Sequence, residues 1–411
     1  TVMVTTSLPE APQIIEMLLT ELHKGNTESV GLTSKTFWIT LQAASETFWE
    51  LYVYSQTSSR KRAGENCMAV TLKDIAYKAG VSITTVSRGL AGYDDVAEET
   101  RQQIQQIAQE LGYRPNLIAR RLQKQRTDTI GFILPTFGPR FSDPFFSEFM
   151  AGVGNEAAAH EYDILVSTHA PDSPGERQAY QRAAQGGWVD GLIVVRTRED
   201  DARVRLLHEH QFPFVAFGRC RCDFDFPYVD EDSVAGMHLM VQHFIDLGHR
   251  RIGFIAPPDG LMFGRLRREG FLATMAQNGL AVAPEWIVTS DLTQRGGAEA
   301  TGQLLALAEG LTAVIAGNDL MAIGAINRIQ QHGLQVGRDL ALGGFDDIPL
   351  AAYTSPPLTT IHQPIYEIGR QVCAMLIALV NGLTPTPAHI LLEPTLIIRE
   401  SSGQPLVSPS F

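Results

Sequence analysis

Cysteine is scarce, with four residues in 411 (Cys67, Cys220, Cys222 and Cys373) at irregular spacing. So few thiols exclude a disulfide-stapled scaffold and suit a reducing cytoplasm. The pair Cys220-Arg221-Cys222 has no further His or Cys at ligand spacing, so no metal site is expected. No apolar run approaches the ~20 residues a membrane helix needs, and the N-terminus has no basic segment leading into an apolar one. Neither a membrane span nor an export signal is therefore expected. Catalytic signatures are missing too: there is no HExxH, no GxSxG elbow, no GxxxxGK phosphate loop and no GxGxxG opening a helix after a strand. The nearest metal-like pair, His208 and His210, stands at i and i+2 on a helix, where side chains do not share a face. The sequence thus offers no catalytic apparatus and calls for no cofactor.

Positive charge is also in deficit, with 33 Lys and Arg against 45 Asp and Glu and a net charge of -12. Spread evenly, that balance would argue against a nucleic-acid partner. It is not spread evenly. Residues 71–127 carry nine basic side chains against six acidic ones, whereas residues 128–411 carry nineteen against thirty-two. Any DNA affinity is local to the first of these segments, and the acidic body serves solubility.

That segment opens with VTLKDIAYKAGVSITTVSRGL from Val70, which reads as a helix-turn-helix. Thr71 is placed to cap a first helix with Leu72, Ile75, Ala76 and Ala79 on its apolar face, and Gly80 can end it in a left-handed turn. Ser82 then caps a second helix. Val86 and Leu90 face inward there, while Thr84, Thr85, Ser87 and Arg88 project towards a partner, and small hydroxyls beside one arginine suit a DNA groove. A third amphipathic helix, Ala97 to Leu111, closes a small headpiece on Ile104, Ile107, Ala108 and Leu111. Between Gly112 and Arg126 stand five basic side chains and no acidic one, a composition that meets phosphate.

Through TLKDIAYKAGVSITTVSR and YRPNLIARRL the chain resembles the lactose and galactose repressor family of bacterial transcription regulators. The resemblance runs from Met68 to about Glu400. It implies an α/β protein with an N-terminal all-α helix-turn-helix headpiece (68–115), a hinge helix (116–127) and a two-lobed body like that of periplasmic binding proteins, with parallel sheets (128–400). Residues 401–411 are a tail. Residues 1–67 lie outside the pattern and are expected to be dispensable for DNA binding, the headpiece being complete from Met68.

From Asp128 short apolar runs alternate with helical patterns: TIGFILP, DILVST and DGLIVV, then RIGFIA, AVIAG and ALGGFDD. That alternation predicts parallel sheets wrapped by helices on both faces. The resemblance implies three crossings between lobes, near Tyr228, Gln363 and Leu391. The first lobe would then comprise about 128–228 and 364–390, the second about 229–363 and 391–400. Ligands in such folds bind beyond the carboxyl ends of strands, where this sequence turns polar. The candidate effector residues are Asp143, Phe145, Phe146, Arg196, Arg198, Arg267, Asn318, Asp346 and Gln363. Arg267, Asn318, Asp346 and Gln363 fall on effector positions by resemblance. Asp319 and Asp347 are expected to be helix caps instead. Carboxylate, amide and guanidinium groups beside phenyl rings suit a sugar, whose hydroxyls need donors and acceptors and whose C–H face needs an aromatic surface. Some sugar-binding members carry a tryptophan after the fourth strand of the second lobe. Here Asp291-Leu292-Thr293 stands in its place, so stacking must come from Phe145, Phe146 or another residue.

The resulting expectation is a cytoplasmic homodimeric regulator, a repressor switched by a carbohydrate, acting on a near-palindromic operator. A purine-responsive or ligand-independent regulator of the same family is the competing reading. Thr84 and Arg88 are the expected base readers, Arg88 through a bidentate bond to guanine, while the apolar Ile83 suits a thymine methyl. Thr71, Ser82, Thr85 and Ser87 complete the contacts of the headpiece. From the hinge come Asn116, Ala119, Arg120, Arg121 and Leu122, the leucine wedging between base steps of the minor groove as the family does.

Overall fold

The computed structural model describes residues 70–113, 126–136, 143–307 and 310–405. The chain divides into two compact units, one ending at Pro115 and the other starting at Asn116.

The first unit holds three helices, α1 (Leu72–Ala79), α2 (Ile83–Leu90) and α3 (Glu98–Glu110). Ile75, Ala76, Val86, Ile104, Ile107 and Ala108 form its core, with Leu72, Ala79, Val81, Leu90 and Leu111 packed around them. Gly80 takes the left-handed conformation (φ 70°) that ends α1, and Ser82 Oγ accepts the Thr85 backbone N–H at 3.0 Å to start α2. The start of α1 is held by Asp74, whose Oδ2 accepts both the backbone N–H and the hydroxyl of Thr71.

The second unit contains two six-stranded sheets. The first runs in the order β11-β5-β4-β3-β1-β2, with β1 Thr129–Pro135, β2 Asp163–His169, β3 Gly191–Val194, β4 Phe214–Phe217, β5 Tyr228–Glu231 and β11 His389–Leu392. The second runs β12-β10-β9-β8-β6-β7, with β6 Ile252–Ala256, β7 Ile287–Thr289, β8 Ala313–Ala316, β9 Ala341–Asp346, β10 Thr359–His362 and β12 Thr395–Ile397. All neighbours are parallel except β10 and β12. Helices α4 (Pro144–Ala159), α5 (Pro174–Gly186), α6 (Ala202–Glu209) and α11 (Ile365–Val380) belong to the first lobe. Helices α7 (Ser233–Asp246), α8 (Met262–Gln277), α9 (Gln294–Leu307) and α10 (Asp319–Gln331) belong to the second. The chain passes between the sheets after β5, after β10 and between β11 and β12. Val229 to Glu231 and Leu391 to Leu392 therefore pair within the first sheet, two or three residues past the boundaries expected from sequence.

Three local differences from the sequence reading have physical causes. Helix α4 begins at Pro144, five residues before the expected Phe149, because Asp143 caps it and proline occupies its first position. Helix α8 begins at Met262, four residues before the expected Leu266, so Arg265 joins Arg267 within the helix. Strand β2 is not buried: Leu165 and Val166 are 47% and 45% exposed, since β2 is the outer strand of its sheet.

Helices α9 and α10 approach through glycine. A Cβ on Gly297 would collide with the backbone of Met321, and one on Gly324 with the backbone carbonyl of Gln294. Since backbone cannot give way as a side chain can, Gly324→Ala is expected to destabilise the body by about 1 to 3 kcal/mol in urea denaturation. A midpoint unchanged from the parent would disprove this close packing.

Candidate functional site

In the headpiece, α2 presents Ser82, Ile83, Thr84 and Arg88 to solvent, whereas Thr85 and Ser87 are half-buried. Thr85 shares a hydrogen bond of 2.8 Å between its hydroxyl and Ser82 Oγ. Arg88 is held on the surface by Asp95 at 2.6 Å and lies 5.3 Å from the centre of the Tyr93 ring. Thr71 is exposed at the start of α1. Asn116, Ala119, Arg120, Arg121 and Leu122 lie outside the described residues.

In the body, the strand ends of both lobes enclose a pocket with about 620 Å³ of unfilled space, its mouth included. Eight of the nine candidate effector residues line it; Arg198 does not. From the first lobe, Asp143 caps α4 through the Phe145 N–H and pairs with Arg196 at 2.8 Å. The Arg196 guanidinium lies 5.0 Å from the Phe146 ring centre. Phe145 stacks on Phe217, with ring centres 5.8 Å apart. From the second lobe comes Arg267, buried on α8. Its guanidinium lies 3.6 Å from the Phe345 ring centre and 4.8 Å from that of Phe263, and Nη1 donates to the Gly317 carbonyl. Nη2 faces two carboxylates, Glu231 Oε1 at 3.4 Å and Asp346 Oδ1 at 3.5 Å. Gln363 Nε2 donates to the same Asp346 oxygen at 2.7 Å. Asn318 caps α10, its Oδ1 accepting the Met321 N–H and its Nδ2 donating to the Leu292 carbonyl.

Burial dominates the electrostatics. It raises Asp143 and Asp230 above their ordinary values against the pull of Arg196 and Arg219, and holds Asp346 well above the usual carboxylate range. Glu231 is pushed up to about 7, with Arg267 and the Ser233 hydroxyl opposing the shift. Three buried polar atoms of the lining have no hydrogen-bond partner among the described residues: Glu231 Oε2, Arg267 Nε and Gln363 Oε1. Such atoms cost free energy until something supplies their bonds, so the pocket is built for a polar molecule.

The two lobes also meet outside the crossings. Glu199 N–H donates to the Gly260 carbonyl at 2.8 Å, Met262 N–H donates to the Thr197 carbonyl at 2.9 Å, and Arg265 pairs with Glu199. The pocket is thus seen with its lobes drawn together.

Several sequence-based expectations need correction. Arg198 points away into a buried charged cluster, with Glu176 at 2.8 Å and Asp172 at 3.3 Å, beside Arg203 and Asp201. Past the end of β3 the backbone turns at Arg196 (φ 50°), so strand alternation does not apply: Arg196 and Thr197 both line the pocket, and Arg198 does not. Asp319 and Asp347 are not helix caps. Asn318 fills the cap position of α10, so Asp319 accepts the Thr360 hydroxyl and the Ile348 N–H instead, while Asp347 pairs with Arg399 and His362. Glu231, Asp230, Arg219, Phe217 and Phe263 went unnoticed, although two acids ending the strand YVDE were a readable signal. Where a tryptophan stands in some relatives, Leu292 is 4% exposed and lines the pocket, and rings come from Phe145, Phe146, Phe217 and Phe263. Cys220 and Cys222 are joined by a disulfide.

A helix-turn-helix unit followed by a two-lobed body with a polar pocket between parallel sheets defines a ligand-binding DNA regulator. The comparisons make the class definite. Residues 71–116 match the model for bacterial regulatory proteins of the lacI family, and residues 241–402 match the periplasmic binding protein-like domain. Among relatives, the HTH-type transcriptional regulator AglR of Rhizobium meliloti (strain 1021) is 34% identical, over 84% of this chain and 98% of its own length. Among solved structures, the transcriptional regulator CelR–cellobiose complex superposes with a TM-score of 0.63 at 31% identity, covering 81% of this chain and 99% of that one. The lac repressor dimer bound to operator and the anti-inducer ONPF does so with a TM-score of 0.72 at 26% identity, over 81% and 99%. The chain belongs to the lacI family of bacterial regulatory proteins: it is a DNA-binding transcription regulator, not an enzyme. Among the described residues no helix is long and apolar enough to cross a membrane.

Proposed function

We propose that this regulator is a cytoplasmic repressor that binds a near-palindromic operator as a homodimer and is switched by a small carbohydrate held between its lobes. The observation that carries the carbohydrate reading is the pocket itself. Buried donors and acceptors without partners surround a space walled by phenyl rings, a lining that hydroxyls and a sugar's C–H face would satisfy together. The family likeness to a regulator solved with cellobiose supports the same class of ligand. Exposed Leu165 on the outer strand β2 lines one groove with Trp188, 72% exposed, and the two offer an apolar surface suited to a second copy.

Reading of DNA falls to α2, with Thr84 and Arg88 at the base edges and the basic run through Arg120 and Arg121 on phosphate. Arg88 must exchange Asp95 for guanine to do so. Arg88→Ala is expected to weaken operator binding by about 1 to 3 kcal/mol and leave binding to unrelated DNA nearly unchanged. Equal losses on both DNAs in a gel shift would make Arg88 a phosphate contact instead.

A thermal-shift screen of mono- and disaccharides, with adenine and guanine included, tests the ligand class, since a ligand of the native state raises the melting temperature. A shift with a sugar that also changes operator affinity supports the proposal. A shift with purines alone would replace it with a purine-responsive regulator.

A further inference from the structure

The pocket's charges do not balance. Arg196 is matched by Asp143 at 2.8 Å and Arg219 by Asp230 at 2.7 Å. Arg267 faces two carboxylates, Glu231 and Asp346, both at the long distances of 3.4 and 3.5 Å. Among the described residues the lining thus holds four carboxyl groups, Asp143, Asp230, Glu231 and Asp346, against three guanidinium groups. The unpartnered atoms are skewed in the same sense. Glu231 Oε2 and Gln363 Oε1 are acceptors, and only Arg267 Nε is a donor. The Gln363 amide is oriented by its neighbour: Asp346 Oδ1 takes the hydrogen of Nε2, so the amide oxygen is the end left over. What is missing from this pocket is hydrogen, and hydroxyl or amine groups bring it. A phosphate monoester or carboxylate at neutral pH has no hydrogen to give on its charged oxygens. It would also enter a low-dielectric space whose described lining already holds more carboxyl than guanidinium groups.

We infer that the pocket selects uncharged polyhydroxy ligands and excludes their phosphorylated or carboxylate forms, with Glu231 as the residue that sets this selectivity. The inference rests on the carbohydrate reading above and narrows it: the signal would be the free sugar, before any phosphorylating or oxidising step has acted on it. The surplus of carboxyl groups and the open acceptors are the reason, and Glu231 is singled out because its Oε1 is bonded by Ser233 and Arg267 while its buried Oε2 has no partner among the described residues. The strand end that carries it, YVDE, places Asp230 with Arg219 and leaves Glu231 to the pocket.

The experiment uses the full-length protein and isothermal titration at pH 7.5. Glucose, galactose, maltose, cellobiose and sucrose are compared with the 1-phosphates, 6-phosphates and uronates available for the same rings. For whichever neutral sugar binds, each anionic counterpart is expected to bind at least tenfold more weakly, a difference of ~1.4 kcal/mol. In Glu231→Gln that ratio is expected to fall at least threefold. An anionic form that binds as tightly as its neutral parent overturns the inference and leaves the carbohydrate reading standing. Binding of none of these sugars, neutral or charged, overturns both. An unchanged ratio in a folded Glu231→Gln protein removes Glu231 as the selector. If that variant does not fold, the comparison in the parent protein still decides the selectivity.

Discussion

Asp346→Ala is expected to abolish the effector response while leaving operator binding without effector within about threefold of the parent. Asp346 stands at the end of β9 with a positive φ of 119°, and its Oδ1 receives both Gln363 Nε2 and Arg267 Nη2. Alanine removes the acceptor that holds these two side chains, which come from α8 and from the crossing after β10. Losing a buried hydrogen-bond acceptor and the alignment of two further groups should weaken effector binding at least 100-fold, ~2.7 kcal/mol. The headpiece is a separate unit with a core of its own, so its fold does not depend on this side chain. Titration of parent and variant with the sugar that gives the largest thermal shift, read out on labelled operator, decides the matter. A variant that responds at the parent's sugar concentration would place the effector elsewhere.

Glu231→Gln is expected to stabilise the ligand-free protein at pH 8 by on the order of 3 kcal/mol, and to change its stability little at pH 4. Burial, reinforced by Asp230 and opposed by Arg267 and the Ser233 hydroxyl, raises the folded-state value to about 7 from an ordinary 4.5. Below 4.5 the group is protonated in both states and contributes no difference. Between 4.5 and 7 the unfolded chain ionises freely and the folded protein does not, so stability falls as pH rises; above 7 the loss is complete. Glutamine keeps the shape and removes the ionisation, so the gain must appear at high pH and vanish at low pH. Buried His249, lowered to about 4, works in the opposite direction as pH falls from 6.5, and it is common to parent and variant. Urea midpoints measured at pH 4 and pH 8 supply the test. Equal midpoints for parent and variant at pH 8 would mean that Glu231 is not ionised against its surroundings. A stabilising change that weakens effector selection is what a binding residue should give, since its cost to folding is retained for function.

The helix-turn-helix could be read from the sequence because each of its signals is local. A cap, a glycine stop and an apolar spacing of three and four residues act within one or two turns, and Gly80, Ser82, Val86 and Ile104 occupy the positions that their neighbours dictate. Strands such as TIGFILP were readable for the same reason: a run buried on both faces must be apolar throughout. Strands Phe214–Phe217, Thr359–His362 and Thr395–Ile397 are too short to carry a period and were missed. Helix Ile365–Val380 follows directly on the crossing after Thr359–His362, outside the run of alternating strands and helices that marks the other elements.

What the sequence determined alone is therefore the family, the headpiece, the alternation of strands and helices, and the chemical types gathered at strand ends. Which of those side chains share a pocket was decided only by the tertiary structure. Arg196 and Arg198 are equivalent by composition and two residues apart, yet one meets Asp143 in the pocket and the other is held by Glu176 away from it. Glu231, Arg267, Asp346 and Gln363 are separated by up to 132 positions, and no local rule places them around one guanidinium. The physical reason is that a strand end specifies where a side chain starts, whereas its partner is set by how two sheets close on each other through three crossings.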